Sequence, residues 1–322
     1  MKRRVFLAAA ALSRFAPAFA QSFPDHPIRL IVPWAPGGVN DAAARPWAEK
    51  VRPDLGTVVI DNIAGAGSIV GATAASHAAP DGYTLLLGGG ATHVINPIAS
   101  TRPIYDPQRD FDPIAILSIS GVGIVVHPSL GVDTLAELIA LDRAKSGSLS
   151  YASPGIGSAA HLGGEMFKAL SNTRDIVHVP YRGGGPALAD LVAGQMKLAA
   201  LNITGEILGL HRAGNIKVLA VSTPKRIGAA LDIPTGEEAG VKNFVALNFA
   251  GVFAPAGAPP TAVEKIAAAT RKAMADPDYL KILANSGFEP SADTSPEAAR
   301  AFVSEEIARW RPIIRDIDFK LE

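Results

Sequence analysis

Short apolar runs and helical patterns alternate along most of the chain. The runs at 28–34 and 83–89 are apolar almost throughout, whereas apolar residues at 134–147 recur every three to four positions. Apolar runs without polar alternation indicate strands of a parallel sheet that helices cover on both faces. The pattern predicts strands at 28–34, 57–63, 83–89, 149–153, 176–181, 196–203 and 216–223, and helices at 40–53 (interrupted by Pro46), 68–78, 134–147, 158–170, 186–195, 206–213 (a turn), 260–276 and 295–317.

Two longer apolar segments, at 114–129 and 245–257, are less regular and are predicted to be extended. The first separates two series of α/β elements, and the second leads from the second series to the C-terminal helices. One crossing out and one crossing back predict two lobes joined by a two-strand hinge, which can close on a ligand. The expected division is 21–122 for the first part of lobe one, 123–248 for lobe two, and 249–322 for the return to lobe one and the C-terminal helices.

The first twenty residues are typical of an export signal. A basic start with Lys2, Arg3 and Arg4 precedes the apolar run "VFLAAAAL", and "AFA" ending at Ala20 is a small-residue cleavage site. The apolar run is too short to span a bilayer, and no later segment is long and apolar enough. We expect export to the periplasm, by the Sec or the twin-arginine route, and cleavage near Ala20.

Composition and charge narrow the function classes. The 322 residues contain no cysteine, which excludes disulfides, thiolate chemistry and cysteine-based zinc sites. The chain has 30 basic and 30 acidic residues; loss of the four basic residues of 1–20 leaves 26 against 30, a net charge of −4. A mildly acidic chain without a basic stripe is a poor nucleic-acid binder, so no nucleic-acid partner is expected.

Four Gly-rich turns, at 33–41, 62–71, 151–161 and 180–187, each lead from a predicted strand into a predicted helix. Ligands of α/β sheets bind at such strand ends, and a helix N-terminus presents backbone N–H groups to an anion. One turn of this kind is common in any α/β fold, whereas four in two lobes indicate a binding site. The turn "GAGSIVG" lacks the spacing of a dinucleotide fingerprint, and no phosphate-binding G-x-x-x-x-G-K-[ST] motif is present.

Several side chains in these turns have two interpretations. Ser158 and His161 share a helix face, so they are either a nucleophile with its base in a secreted hydrolase or a helix cap with a packed histidine. The stretch "GIGSAAH" does not match a nucleophile elbow, which favours the cap. Asp41 either caps a helix or orders water at a ligand, and Arg182 is either a solvated charge or a carboxylate clamp. The other histidines have no metal-ligand spacing, so no metal site is expected.

Motifs through most of the mature chain resemble the Bug-type solute receptors of tripartite tricarboxylate transporters. They are "HPIRLIVPWAPGGVNDAAAR" (26–45), "NIAGAGSIVGA" (62–72), "PDGYTLL" (80–86), "THVINP" (92–97), "YDPQRDFDPI" (105–114), "VVHPS" (125–129), "TLAELIA" (134–140), "YASPGIGSAAHLGGEMFK" (151–168), "HVPYRGGGPALADLVAGQ" (178–195), "IKVLAV" (216–221), "PTGEEAG" (234–240) and "FAPAGAP" (253–259). Their joint occurrence in this order is specific to the family.

The resemblance implies a type II periplasmic binding protein with a Venus-flytrap fold, not an enzyme and without a cofactor. It implies a receptor that holds an organic carboxylate (mono-, di- or tricarboxylate) between its lobes through backbone amides and ordered water, and that delivers it to inner-membrane transporter subunits or to a sensor. A monomer is expected. The candidate ligand-binding residues are Trp34, Ala35, Pro36, Gly37, Gly38, Asp41, Gly65, Ala66, Gly67, Thr92, His93, Ser153, Gly155, Ile156, Gly157, Ser158, His161, Tyr181, Arg182, Asn202, Thr204 and Phe249.

Departures from the family pattern concern ligand identity. Trp34 stands where the family more often has Phe or Tyr, and the stretch 200–212 lacks the usual Leu-Pro run and carries Glu206. The segment 245–250 lacks the aromatic Trp often seen before the second crossing, where Phe249 is the expected substitute. These positions are expected to shape the far end of the pocket.

Overall fold

The computed structural model describes residues 23–36, 38–317 and 319–321. The predicted export signal at 1–20 and the candidate Gly37 therefore lie outside the described residues. The strands are β1 (Ile28–Val32), β2 (Val58–Asn62), β3 (Thr84–Gly89), β4 (Phe111–Val126), β5 (Ser150–Ser153), β6 (Val177–Pro180), β7 (Leu198–Asn202), β8 (Lys217–Val221), β9 (Leu247–Pro255) and β10 (Glu289–Pro290). The helices are α1 (Val39–Leu55), α2 (Ile69–Ser76), α3 (Asn96–Ala99), α4 (Leu135–Ala144), α5 (Ala159–Ser171), α6 (Gly184–Val192), α7 (Gly205–Arg212), α8 (Pro260–Met274), α9 (Pro277–Asn285) and α10 (Pro296–Asp316).

The strands form two sheets that share the 16-residue strand β4. Over its first part, to Gly121, β4 pairs with β9, and the strand order of this sheet is β2-β1-β3-β9-β4 with β10 on the far edge. From Val122 onward, β4 pairs instead with β7 and β8, in a sheet of order β8-β4-β7-β5-β6. We call each sheet with its helices a lobe. The predicted two-lobed α/β fold, with β4 and the segment leading into β9 as the crossings, is confirmed.

Three apolar clusters hold the layers together. One packs α1, α8 and α9 on the outer face of the first sheet, around the fully buried Trp47. Another packs α6 and α7 on one face of the second sheet. The largest cluster includes residues of both sheets together with α5 and α10, and Phe249, Phe253 and Trp310 lie within it. The helix α10 therefore packs on the face of the molecule where the two lobes join.

Sequence features explain most helix starts, but some element boundaries differ from the prediction. Thr134 caps α4 by accepting from the Glu137 N–H, and the Glu137 side chain accepts from the N–H of Asp133, the residue before the cap. Pro46 was expected to interrupt its helix, yet α1 is continuous through it. Proline removes one N–H donor, and the packing of Trp47 and its neighbours on the sheet keeps the remaining turns in place.

The helices α3 and α9, the strand β10 and a π-helical turn were not predicted. A π-helical turn at Ala91–Ile95 leads into the short α3, and α9 follows α8 after a break at Asp276, whose carboxylate accepts from the N–H groups of Asp278 and Tyr279. Within the described part of the chain, no helix combines the length and the apolar composition needed to cross a membrane.

Candidate functional site

The turn after β1 is held by side chains of β2 and α1. The Asn62 amide donates to the Trp34 carbonyl (3.0 Å) and to the Asp41 carboxylate (3.2 Å), and Arg45 donates to both oxygens of Asp41 (2.6 and 3.1 Å). Gly38 is the N-cap residue of α1 and provides no side-chain hydrogen bond. As at any helix start, the first N–H groups of α1 have no intrahelical carbonyl as a partner.

The turn after β2 has an unusual backbone. Gly65, Ala66, Gly67 and Ser68 have consecutive positive φ angles of 145°, 44°, 61° and 83°. Positive φ costs roughly 1–2 kcal/mol for a residue with a Cβ, so Ala66 and Ser68 are strained. Asn96 stabilises this conformation, since its amide donates to the Gly67 carbonyl (2.7 Å) and to the Ser68 hydroxyl (3.3 Å). Such strain is typical of functional turns.

The corresponding turn of the second lobe, between β5 and α5, is held by side chains. The Ser158 hydroxyl caps α5 by accepting from the His161 N–H (3.1 Å) and donates to the Gly155 carbonyl (2.8 Å). Ser153 is fully buried, and its hydroxyl accepts from the Gly155 N–H (3.1 Å). Both hydroxyls thus bond within the turn, whereas the resemblance had pointed to them as ligand contacts.

Two histidines lie beneath this turn. The rings of His161 and His178 stack with centroids 4.0 Å apart, and His178 Nε2 lies 2.7 Å from Ser153 Oγ. Burial, with a smaller effect of His178, lowers the pKa of His161 to about 3, and burial lowers that of His178 to about 4. Both rings are therefore neutral at pH 7, and His161 Nδ1 accepts from the Gly157 N–H (3.3 Å).

The predicted alternative, a Ser158–His161 catalytic pair, is not formed. A nucleophile must donate its proton to the ring of its base. Ser158 instead donates to the Gly155 carbonyl, while Nδ1 of His161 accepts from the Gly157 N–H. The helix-cap interpretation of Ser158 is confirmed.

The structure brings the turns of the two lobes into contact. A Cβ placed on Gly67 would lie 3.2 Å from the Ile156 carbonyl oxygen, and one placed on Gly157 would lie 3.1 Å from Asn96 Oδ1. Asn96 is only 2% exposed, and its Oδ1 has no hydrogen-bond partner among the described residues. Residues 89 positions apart (Gly67 and Ile156) and 61 positions apart (Asn96 and Gly157) therefore form one junction between the lobes.

Three candidate residues have side chains in the core and not at this junction. Thr92 Oγ1 bonds to the Gly89 N–H (2.9 Å), and His93 is fully buried and stacks on Phe253 with centroids 3.7 Å apart. Phe249 is 1% exposed and packs edge-on against Phe302 of α10. The position of Phe249 in β9 directs its ring towards α10, whereas the resemblance had pointed to it as a residue of the far end of the pocket.

The remaining second-lobe candidates lie at strand ends. Tyr181 follows β6, and its hydroxyl donates to Asp190 (2.7 Å), while Arg182 is exposed. Asn202 ends β7 with a buried Oδ1 that has no partner among the described residues. Thr204 caps α7 by accepting from the Ile207 N–H (3.3 Å). Only Tyr181 is tied directly to the Ser153–Ser158 turn, through its N–H to the Ser153 carbonyl (2.9 Å).

Sequence reasoning missed Asn62, Asn96 and His178. Each follows or lies within a segment that was recognised, but each acts on a turn that is distant in sequence. In the described ranges, no group of three or more His, Asp or Glu side chains is arranged to hold a metal ion. A cavity of about 610 Å³ lies beside the junction, lined by residues that include Asn96, Ser100–Tyr105 and Leu321.

Comparison with known proteins agrees with this architecture. Residues 43–319 match the family described as "Tripartite tricarboxylate transporter family receptor". Protein BugT of Bordetella pertussis is 33% identical over 320 residues, covering 99% of this chain and 97% of BugT.

Solved structures are also similar. MatC from Rhodopseudomonas palustris, with bound malate, superposes with a TM-score of 0.83 at 31% identity and covers 91% of this chain and 100% of that one. An R. palustris protein solved with adipate gives a TM-score of 0.87 at 31% identity, covering 92% and 99%. The two-lobed fold, the junction of Gly-rich turns and these matches together show that the chain belongs to the tripartite tricarboxylate transporter receptor family, as a Bug-type periplasmic solute-binding protein.

Proposed function

We propose that this receptor binds an organic carboxylate at the junction between its lobes. The observation that carries the proposal is the approach of the strained Gly65–Ser68 turn to the Ser153–Ser158 turn, where Gly67 faces the Ile156 carbonyl. Relatives of similar fold hold malate and adipate, both of which carry carboxylate groups. Binding without turnover is expected, since family relatives are solute-binding proteins and Ser158 and His161 do not form a catalytic pair.

Backbone N–H groups are proposed to hold the carboxylate. The Ser153 and Ser158 hydroxyls are engaged within their own turn, and Asp41 is paired with Arg45. The starts of α1 and α5 leave several N–H groups without intrahelical partners, and their dipoles favour an anion. The proposed site comprises 34–38 with Asp41 as its support, 65–67 and 153–158, lined by His161, Tyr181, Arg182 and Asn202. Thr92, His93, Thr204 and Phe249 are left out as direct contacts because of their positions.

The lobe boundaries and the cellular role complete the proposal. The change of partners along β4 at Gly121–Val122 supports a boundary at 122/123, and the start of β9 supports a return near 248. We propose that the exported protein, cleaved near Ala20, works as a monomer and delivers its ligand to inner-membrane transporter subunits or a sensor. N-terminal sequencing of the protein from the periplasmic fraction is expected to begin at Gln21.

Gly67→Ala tests the site. The added methyl group would meet the Ile156 carbonyl at 3.2 Å and hinder the approach of the two turns, so we expect the affinity for the best ligand of an organic-acid panel to fall by at least about tenfold. Isothermal titration calorimetry measures the change.

Gly131→Ala is the matched control for this experiment. Gly131 has a similar φ of 74°, but a Cβ there meets nothing within 4 Å. Both variants pay the backbone cost of a non-glycine residue at positive φ, about 1 kcal/mol, whereas only Gly67→Ala is expected to lose affinity. Equal affinities in the two variants, or a panel in which no carboxylate binds the wild type, would contradict the proposed function.

A further inference from the structure

The segment that follows α10 returns to the first lobe. We call Phe319–Leu321 the tail. The Leu321 N–H donates to the Ala99 carbonyl (2.8 Å), and the Leu321 carbonyl accepts from the Thr101 N–H (3.1 Å). These two bonds form a parallel bridge between Leu321 and Ser100. The tail is therefore attached to the first lobe, at the end of α3.

The same three residues also contact the second lobe. The ring of Phe319 packs edge-on against His161, with centroids 5.2 Å apart. The two methyl carbons of Leu321 lie 3.7 and 3.9 Å from the position of a Cβ on Gly157. A tail that belongs to a first-lobe helix thus packs on the second-lobe turn that we assign to the ligand.

His161 contacts both the tail and the turn. Its Nδ1 accepts from the Gly157 N–H, and its own N–H donates to Ser158 Oγ. His178 packs on the ring of His161 with an interplanar angle of 23°, and Phe319 meets that ring edge-on at 69°. The direction of the Gly157 N–H therefore depends on a ring that Phe319 helps to orient.

The tail can detach without unfolding either sheet. The described main-chain bonds of Phe319 and Leu321 are the two to 99–101 and one from the Phe319 N–H to the Ile314 carbonyl of α10 (3.1 Å), and none of them belongs to the strand pairing of either sheet. The cavity of about 610 Å³ borders Leu321 and the 100–105 segment. Because Leu321 has open space beside it, the tail is packed on the junction and is not enclosed by it. A segment of this kind can be in place when the lobes are together and released when they separate.

We propose that the tail is a clasp between the lobes, with Phe319 as a positioning residue that acts through His161 on the Ser153–Ser158 turn. The clasp rests on the proposed function for its effect on ligand affinity, but its contacts do not involve a ligand. Its predicted consequence is kinetic, since a clasp that is closed only when the lobes are together slows ligand release more than it affects association.

Phe319→Ala is the primary test, with malate and adipate as probes in stopped-flow fluorescence. We expect ligand dissociation to become about tenfold faster while the association rate stays within about twofold. In the ligand-free protein, the NMR signals of the His161 Cε1–H and the Gly157 N–H are expected to shift. Phe319→Tyr, which retains the ring, is expected to restore both the rate and the signals.

Ile313→Ala is the matched control. Ile313 is a partly buried residue near the end of α10 that precedes the tail, so this variant removes apolar volume from the same region. It is expected to lower the melting temperature about as much as Phe319→Ala without changing the dissociation rate. If Phe319→Ala does not fold, Phe319→Leu, a milder change of the same contact, is measured in its place.

The outcomes separate the two proposals. Unshifted His161 and Gly157 signals, or shifted signals with an unchanged dissociation rate, would overturn the clasp. If the wild type binds neither malate, adipate nor any other acid of the panel, the proposed function fails, and the ligand-free signals of Gly157 still decide whether Phe319 positions the turn.

Discussion

The turns that meet between the lobes are both strand-to-helix connections, yet they are held in different ways. The first-lobe turn, Gly65–Ser68, keeps four consecutive positive φ angles and relies on one side chain, Asn96, for its fixation. The second-lobe turn, Ser153–Ser158, is held by its own serine hydroxyls and rests on two stacked histidines. One side of the junction is a strained backbone fixed by Asn96, and the other rests on buried neutral imidazoles, so the two sides should respond to different perturbations.

The largest expected effect comes from Asn96→Ala, which breaks the first-lobe side. The variant removes the donor to the Gly67 carbonyl and leaves that carbonyl and the strained Ala66 and Ser68 without support. We expect the free energy of unfolding to fall by about 2–3 kcal/mol, together with a loss of carboxylate affinity. Denaturant titration and calorimetry measure the two quantities.

The control for Asn96→Ala is Asn215→Ala, at an exposed asparagine after α7. It is expected to change the free energy of unfolding by no more than about 0.5 kcal/mol. Similar values for the two variants would mean that the Gly65–Ser68 turn keeps its conformation without Asn96.

Acid acts on the second-lobe side, where each of two histidines is expected to contribute less than Asn96→Ala. In the folded protein the pKa values of His161 and His178 are about 3 and about 4, against about 6.5 in an unfolded chain. The unfolded chain binds more protons below pH 6.5, so stability is full above that pH and decreases as pH falls towards 4. At pH 5 the loss is roughly 2 kcal/mol for each histidine.

Substitution of His178 isolates its share of this pH dependence. The stability difference between wild type and His178→Gln is expected to shrink between pH 7 and pH 5, as measured by urea denaturation at each pH. Buried His93, whose pKa burial also lowers to about 3, contributes to both proteins and cancels in the difference. Parallel stability–pH curves for the two proteins would argue against a neutral His178, and His26→Gln, at an exposed histidine, serves as the control.

The smallest effect on stability is expected from removing a single helix cap. Two similar caps, one at the junction and one away from it, allow a comparison. Ser158 and Thr134 each accept from an N–H three residues ahead at 3.1 Å, so Ser158→Ala and Thr134→Ala should each cost about 1 kcal/mol. Only Ser158→Ala is expected to lower ligand affinity, because Thr134 lies at the start of α4, away from the junction. An equal effect on affinity, or ester hydrolysis that depends on Ser158, would overturn this assignment.

Local pattern predicted the fold well where strands and helices were strongly apolar or periodic, as in β1, β3, α5 and α10. It failed at the π-helical turn Ala91–Ile95, because the run "GGATHVINP" has neither the helical nor the strand periodicity of apolar residues. Tertiary packing decides the backbone conformation there. It also predicted an interruption at Pro46, because the cost of one lost hydrogen bond is visible in the sequence and the compensating burial of Trp47 is not.

For the candidate site, too, the sequence revealed the features with a local signal and missed those that depend on distant contacts. The Gly-rich turns were found because glycine at a strand-to-helix connection is a local signal. Asn62, Asn96 and His178 lie within the quoted motifs but were not recognised as site residues, and Phe319 lies outside those motifs, since each acts on residues far away in the chain. Conversely, Thr92, His93 and Phe249 were included from motif resemblance, and the structure places their side chains in the core.

By itself, the sequence determined the class of fold, the succession of two α/β units and the turns that present N–H groups, because strand and helix periodicity and glycine placement act over a few residues. Only the tertiary structure decided which of those turns meet, that Ser158 caps a helix beside a neutral His161, and that the tail beyond α10 packs on the second lobe. These outcomes depend on β4, which runs through both sheets, pairing with β9 in the first and with β7 and β8 in the second, and so brings together residues that the chain keeps far apart.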